Sequence, residues 1–338
     1  MDKFKFLLVG SGNIASTYIK AAANVPEIAI TGIVSRSGRR PAGADEKLPV
    51  YNSITEADCD FDAVILATPN GCHASGCLEA AAIGKHVFTE KPMSINIEDA
   101  RAMIDVAKEN NVICHCVFQN RYNAGALLAK KLLDDGTLGK VISAKCYVTW
   151  DRSDEYYGKS DWKGTWDKEG GGVIIDQAIH TLDLMRYLIN SPINYVDATI
   201  TNRGHAKIDV EDTAEGCIAF QNGVLANFHA INYYGYDADV YVELMCENGI
   251  AELESDRAYI KMNDGRVFEA ERPNEDFGYG NVKSYWGVNH CKQINNFYEC
   301  LESGEEMFIP VESAYKTMEM VCAIYKSGKT KERVYLNK

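Results

Sequence analysis

Three side chains combine the type and setting needed for chemistry: Lys91, Asp176 and His180. Lys91 stands in "FTEKPM", between Glu90 and Pro92. A following proline biases the lysine away from the α region and towards an extended conformation. The Lys–Pro bond also has an appreciable chance of being cis. This lysine is aimed rather than left to solvent. An ammonium aimed in this way can bond a hydroxyl and stabilise the alkoxide it becomes. Asp176 and His180 lie four residues apart in "GGGVIIDQAIHTLDLMRYL", with Asp183 three further on. On an α-helix that spacing puts the first two on one face, about 40° apart around the axis. A carboxylate there can orient the imidazole and raise its basicity, which makes His180 a candidate general base. Gly170, Gly171 and Gly172 precede the helix, so a ligand or another backbone can approach closely. The competing readings are a surface pair or a satisfied core histidine.

The elements that must position these groups fall into two halves. Over the first 120 residues, short apolar runs alternate with helical stretches: Lys5–Val9, Ile28–Val34, Ala63–Ala67, His86–Thr89 and Val112–Phe118 against helices near 13–24, 73–83 and 97–110. That alternation indicates a parallel sheet covered on both faces. The first turn, "GSGNIA", has Gly10, Gly12 and Ala15 in a GxGxxA pattern between a strand and a helix, the context that a dinucleotide fingerprint requires. Gly10 permits the tight turn, Gly12 the approach of a pyrophosphate and Ala15 close helix packing, while the helix start at Asn13 and Ile14 offers N–H groups to the phosphates. The second strand ends in "IVSRSGRR". An NAD-preferring site usually has an acid there, whereas Ser35, Arg36 and Arg40 suit a 2′-phosphate, so NADP is favoured and NAD is the alternative. Thr68, Pro69, Asn70 and His73 follow the next strand, and Glu90 and Lys91 the one after. All stand at the carboxyl edge of the sheet, where cofactors bind.

After Phe118 the pattern changes. One helix, about 124–134, leads into strand-like tracts at 141–150, 197–202, 213–220, 224–233, 240–246 and 250–253, several separated by turn signals such as "QNG" and "ENG". Helices near 289–302 and 313–325 close the chain. The expected fold is α/β: a Rossmann dinucleotide-binding domain over residues 1–120, then an α+β domain over 121–338 for substrate binding and oligomerisation. The second domain would hold a large, mainly antiparallel open sheet.

Composition narrows the class. The chain of 338 residues has a net charge of −13, which argues against nucleic acid and anionic membranes as partners. No run is long enough to span a bilayer and no signal-peptide pattern opens the chain. The eleven cysteines form no framework, and Cys114–His115–Cys116 lies in a strand-like tract without a CxxC partner, so no metal is expected. Reduced thiols point to the cytoplasm.

Fingerprint, "EKP" and "GGG…D…H" together resemble the glucose–fructose oxidoreductase, inositol dehydrogenase and rhizopine-catabolism (Gfo/Idh/MocA) family over essentially the whole chain. The resemblance implies that Lys91, Asp176 and His180 form the catalytic set. It also implies that Pro92 aims Lys91 and that the C-terminal sheet serves a homodimer or homotetramer. The tracts "QNRYN", "WDRSDEYYGKSDWKGTWDKEGGG", "VEDTAEGCIAF" and "NGVLANFHA" resemble bacterial enzymes that oxidise the 3-hydroxyl of sugars, including UDP-linked N-acetylated hexuronic acids. Some of those enzymes have asparagine where this chain has Asp176. The residues agree on substrate class: Trp150, Trp162 and Trp166, with Tyr156 and Tyr157, could pack on a pyranose, and Arg121 and Arg152 could hold a carboxylate or phosphate. The competing reading is that the rings fill an interface. The first choices for substrate contact are Trp162 and Arg152. The expected function is reversible hydride transfer between a nicotinamide and a secondary hydroxyl of a sugar, glycoside or sugar nucleotide, the 3-hydroxyl among them. Alternatives are glycoside hydrolysis by transient oxidation and elimination on tightly held NAD, and a non-catalytic NADP sensor.

Overall fold

The structure, a computed structural model, describes residues 3–271 and 289–336. In chain order the first part runs β1 (Phe4–Val9), α1 (Asn13–Ala23), β2 (Ile28–Val34), β3 (Val50–Tyr51), β4 (Ala63–Leu66), α2 (His73–Ala82), β5 (His86–Thr89), α3 (Ile97–Glu109) and β6 (Cys114–Cys116). There follow α4 (Ala124–Asp134), β7 (Val141–Thr149), α5 (Asp154–Gly158), a π-wound turn (Val173–Ala178) and α6 (Ile179–Ile189). The chain continues through β8 (Ile193–Thr201), β9 (Thr213–Phe220), β10 (Leu225–Ile231), β11 (Tyr241–Cys246), β12 (Gly249–Glu254), β13 (Arg257–Met262) and β14 (Val267–Ala270). It closes with α7 (His290–Ser303), α8 (Val311–Thr330) and β15 (Val334–Tyr335). No helix among the described residues is long and apolar enough to cross a membrane.

The chain divides into two compact units. The first holds the residues up to Phe118 together with those from Asn289 to Met318. Its six-stranded parallel sheet has the order β3-β2-β1-β4-β5-β6. Strand order reverses between β1 and β4, the topological switch at which α/β sheets bind ligands. β1 and β4 are buried through their apolar runs, as strands covered on both faces must be. α1 turns Ala15, Tyr18, Ala21 and Ala22 inward, a helical stripe. α3 starts on Asn96, whose side chain accepts the Asp99 N–H at 2.8 Å.

This unit differs from the expected boundary at 120. α7, which the sequence reading gave to the C-terminal domain, packs in the first core. Ile294 and Phe297 are fully buried there, and the Phe297 ring lies 5.4 Å from Phe88 and 6.0 Å from Phe6. The amphipathic face of α7 finds its partners more than 200 residues back, a return that no local pattern records.

The second unit holds residues 119–271 and 319–336. Its nine strands run β14-β13-β12-β11-β7-β10-β9-β8-β15. Every neighbouring pair is antiparallel except β7 with β10, which is parallel. Period-two alternation shows in β7, β11 and β13, with Ala144, Cys146, Val148, Val242, Leu244, Ala258 and Ile260 turned inward. α4 and α6 lie against this sheet. On the other face Tyr147, Met245 and Tyr259 are exposed among charged neighbours.

Candidate active site

In the first unit the fingerprint loop is built as the sequence predicts. Gly10 has φ +121°, and a Cβ there would lie 2.3 Å from the Ala67 carbonyl oxygen. Only glycine can bring the ends of β1 and β4 so close. At Gly12 a Cβ would meet no described atom within 4 Å, so the protein's own packing does not require that glycine. α1 starts there without a side-chain cap or an acid in its first turn, with Asn13 exposed and Ile14 half-buried. Thr68 keeps its Oγ1 buried with no hydrogen-bond partner among the described residues. Room at Gly12, uncapped helix N–H groups and an orphaned hydroxyl at the switch point fit a nicotinamide dinucleotide.

The end of β2 carries no acid. Ser35 is buried, with Oγ 3.2 Å from Ser11 Oγ and 3.3 Å from Ser37 Oγ. Arg36 is exposed. Arg40 gives its guanidinium to the Leu48 and Asp45 carbonyls, so this cation is already engaged by the chain.

Lys91 is held through its backbone on both sides. Its N–H donates to Glu90 Oε2 at 3.2 Å, and the Lys91–Pro92 bond is cis. Glu90 is buried; its Oε1 accepts from the Tyr18 hydroxyl at 2.5 Å and faces His290 Nε2 at 3.6 Å. Burial pushes that carboxyl up, but the bonds from His290 and Tyr18 and the charge of Lys91 outweigh it and hold the group at about 2. On the other side His73, also buried, sets Nδ1 2.7 Å from the Pro92 carbonyl and Nε2 2.9 Å from that of Thr68. Burial pushes the ring towards its neutral form, two acceptor carbonyls pull it towards the charged one, and burial prevails. Glu90 and His73 were expected to touch the cofactor. Within the chain they serve as clasps that fix Lys91 and join its turn to the Thr68 turn. Asn70 is buried in the short helical turn that precedes α2.

In the second unit Asp176 lies in the π-wound turn and His180 in α6. The α-helical spacing assumed from sequence is therefore corrected: an i→i+5 turn winds more residues per revolution, so a four-residue step does not give the α-helical offset. Asp176 Oδ2 accepts from Tyr156 Oη at 2.9 Å, Lys163 Nζ at 3.2 Å and Gln177 Nε2 at 2.5 Å. Lys163 also bonds Tyr156 Oη at 2.6 Å, faces Glu169 Oε1 at 3.5 Å and lies 4.6 Å from the Trp162 ring centroid. Burial pulls that ammonium down, but Asp176, Tyr156 and Glu169 hold it well above its ordinary value. Burial and the Asp176 charge push the Glu169 carboxyl up. Behind Asp176, Gln177 Oε1 accepts from Asn232 Nδ2 at 3.1 Å, and that Nδ2 lies 2.6 Å from the Tyr157 hydroxyl. His180 is half-buried, with Nδ1 shielded from solvent. Together these groups gather hydroxyl, ammonium, carboxylate and indole around Asp176.

The families known from sequence can be set beside this geometry. Residues 4–118 match the family described as "Oxidoreductase family, NAD-binding Rossmann fold", and residues 126–252 match the GFO/IDH/MocA C-terminal domain. The chain belongs to the Gfo/Idh/MocA oxidoreductase family. Among its relatives, a 1,5-anhydro-D-fructose reductase of Ensifer adhaerens is 30% identical over 227 residues, 66% of this chain and 67% of that one. The scyllo-inositol 2-dehydrogenase (NAD(+)) of Bacillus subtilis is 28% identical over 283 residues, 80% of this chain and 76% of its own. The WlbA dehydrogenase of Bordetella pertussis, solved with NADH and UDP-GlcNAcA, superposes with a TM-score of 0.81 at 26% identity, covering 99% of each chain.

In this Gfo/Idh/MocA chain several expected contacts are used differently. Arg121 is buried and gives Nε and Nη2 to Asp183 at 2.7 and 2.6 Å, over the Tyr187 ring. Arg152, also buried, pairs with Asp237 at 2.7 Å. Both guanidiniums carry internal ion pairs. Trp150 and Trp166 donate their indole N–H groups to the carbonyls of Ala238 and Asp209, which makes them framework rings. Trp162 has its ring under the Lys163 ammonium that binds Asp176. Sequence reasoning missed Lys163 and Glu169. The available signal was a lysine between tryptophans, "DWKGTW", followed by an acid that directly precedes the triple glycine.

Proposed function

We propose that this protein is an NAD(P)-dependent dehydrogenase that reversibly oxidises a secondary hydroxyl of a sugar, polyol or sugar nucleotide. The observation that carries this reading is the two-sided fixing of Lys91 by Glu90 and His73 at the edge of a dinucleotide fold. The relatives, named for sugar and inositol substrates, support the class. When bound, the nicotinamide supplies the hydride acceptor. His180 takes the hydroxyl proton on its imidazole as the C–H bond breaks. Lys91 donates to the forming alkoxide and lowers its energy. Asp176, paired with Lys163, accepts from a neighbouring substrate hydroxyl, and Trp162 offers an apolar face. NADP remains the favoured coenzyme in this proposal because the end of β2 offers Ser35, Ser37 and Arg36 and no carboxylate. The open sheet face suits a homodimer or homotetramer.

Native mass spectrometry of the purified protein comes first. Empty protein, followed by substrate-dependent appearance of reduced coenzyme in a panel of sugars, polyols and sugar nucleotides, supports the proposal. NADP+ turning over better than NAD+ supports the coenzyme choice, and the reverse overturns it. Retained NAD without net coenzyme turnover, with release of an aglycone, would replace the proposal with transient oxidation and elimination.

A further inference from the structure

The helix that carries Asp176 and His180 begins without a cap of its own. The first four N–H groups of any helix lack partners inside it. Here those of Gly172, Val173, Ile174 and Ile175 are all taken by two residues from far along the chain. Gly172 donates to Glu211 Oε2 at 2.9 Å, Val173 to the Glu211 carbonyl at 3.1 Å and Ile174 to Glu211 Oε1 at 3.0 Å. Ile175 donates to Tyr325 Oη at 3.1 Å, and Tyr325 Oη donates to Glu211 Oε1 at 2.9 Å. Both residues are buried, and the Tyr325 ring stands edge-on to Trp166, 5.1 Å away.

The glycines report the same closeness. A Cβ on Gly171 would lie 2.0 Å from Tyr325 Oη, and one on Gly172 would lie 1.9 Å from the Glu211 carbonyl oxygen. The space beside them is filled by the chain itself, which decides between the two visitors the sequence allowed. The segment just after this cap is π-wound, and π-turns are rare and concentrate at functional sites. Asp176 stands inside the turn and His180 just beyond it, so the winding sets the direction of one side chain relative to the other.

We infer that Glu211 and Tyr325 are positioning residues for the Asp176–His180 pair, holding the helix start in the π-wound register in which Asp176 meets Tyr156 and Lys163. The inference rests on the roles proposed above for Asp176 and His180. Neither positioning residue is assigned a contact with substrate; each acts through the backbone it caps.

The test uses the full chain with Tyr325→Phe and Glu211→Gln, read by crystal structure and by steady-state kinetics on the substrate found in the panel. Tyr325→Phe removes one hydroxyl and keeps the ring against Trp166. The expected result is a rewound turn, with Asp176 Oδ2 withdrawn from Lys163 and kcat lowered by about 10²-fold, while the coenzyme KM is unchanged. Glu211→Gln keeps one acceptor oxygen and is expected to shift kcat in the same direction by about 10-fold. A Tyr325→Phe structure that retains the π-turn and the Asp176–Lys163 contact overturns the inference. So does a rewound turn with parental kcat. If Tyr325→Phe does not fold, Glu211→Gln is judged by the same two readouts. A parent enzyme that oxidises nothing in the panel sinks the functional reading instead, and the variant structures alone then decide whether these residues hold the turn.

Discussion

Lys91 and Asp176 are fixed by opposite means. In the first unit it is the backbone that is held: Glu90 binds the Lys91 N–H and His73 binds the next carbonyl. In the second unit the side chain itself is embedded, with Tyr156, Lys163 and Gln177 all on Asp176 Oδ2. The supporting carboxylates differ in the same sense. Glu90 is surrounded by donors and held at about 2, below its ordinary 4.5. Glu211 accepts from backbone N–H groups and the Tyr325 hydroxyl, but its burial outweighs them and pushes it up to about 7. The lysine is steadied through its main chain, the aspartate through its own carboxylate oxygen.

The sharpest way to break this comparison is Lys91→Ala. It is expected to lower turnover by about 10³-fold or more while coenzyme affinity, measured by fluorescence titration, stays near parental. Near-parental turnover would show that the clasped lysine is only structural. Next comes Lys163→Met, which leaves Asp176 and Glu169 without their shared cation. A loss of roughly 3 kcal/mol in urea unfolding is expected, with Lys163→Arg recovering part of it. An unchanged midpoint would mean that the Asp176 cluster is not held by charge.

The pH response sharpens the comparison further. The lowered Glu90 contributes stability that is present above pH 4.5 and lost as pH falls through about 2. The raised Glu211 works the other way: its contribution is present below 4.5 and lost as pH rises through about 7. Each limb is worth about 3 kcal/mol. Denaturant midpoints across pH should rise on the acid limb and fall on the neutral one, and Glu211→Gln should flatten only the second. The smallest effect is expected from Tyr18→Phe, about 1 kcal/mol of stability with a modest fall in kcat. An unchanged kcat would show that Glu90 does not need this bond to steady Lys91.

What could be read from the sequence follows the distance over which each feature is decided. The GxGxxA turn, the Glu-Lys-Pro stretch and the Asp-x-x-x-His spacing are local, and most strands announce themselves by apolar runs or alternation. Two-residue strands such as β3 and β15 carry no pattern and exist only because β2 and β8 pair with them. β13 does alternate, with Ala258, Ile260 and Met262 inward, but its polar partners let it pass as a loop. The π-turn is set by a hydroxyl 150 residues away, so its local sequence reads as plain helix. Arg121 and Arg152 looked like ligand cations because Asp183 and Asp237, 62 and 85 residues on, neutralise them only in the fold.

Tyr18 has a consequence beyond its own bond. It lies in α1, whose first turn is the expected seat of the pyrophosphate, and its hydroxyl holds the carboxylate that holds the Lys91 backbone. The expected coenzyme seat and the Lys91 backbone are thus joined by one short strut of helix, phenol and acid. Such a connection works in both directions. A coenzyme that stiffens α1 orders the lysine turn before any substrate arrives, and a substrate that orders the lysine tightens the coenzyme by the same factor. The two arrivals would then be cooperative, each making the other tighter, without a moving part devoted to linking them.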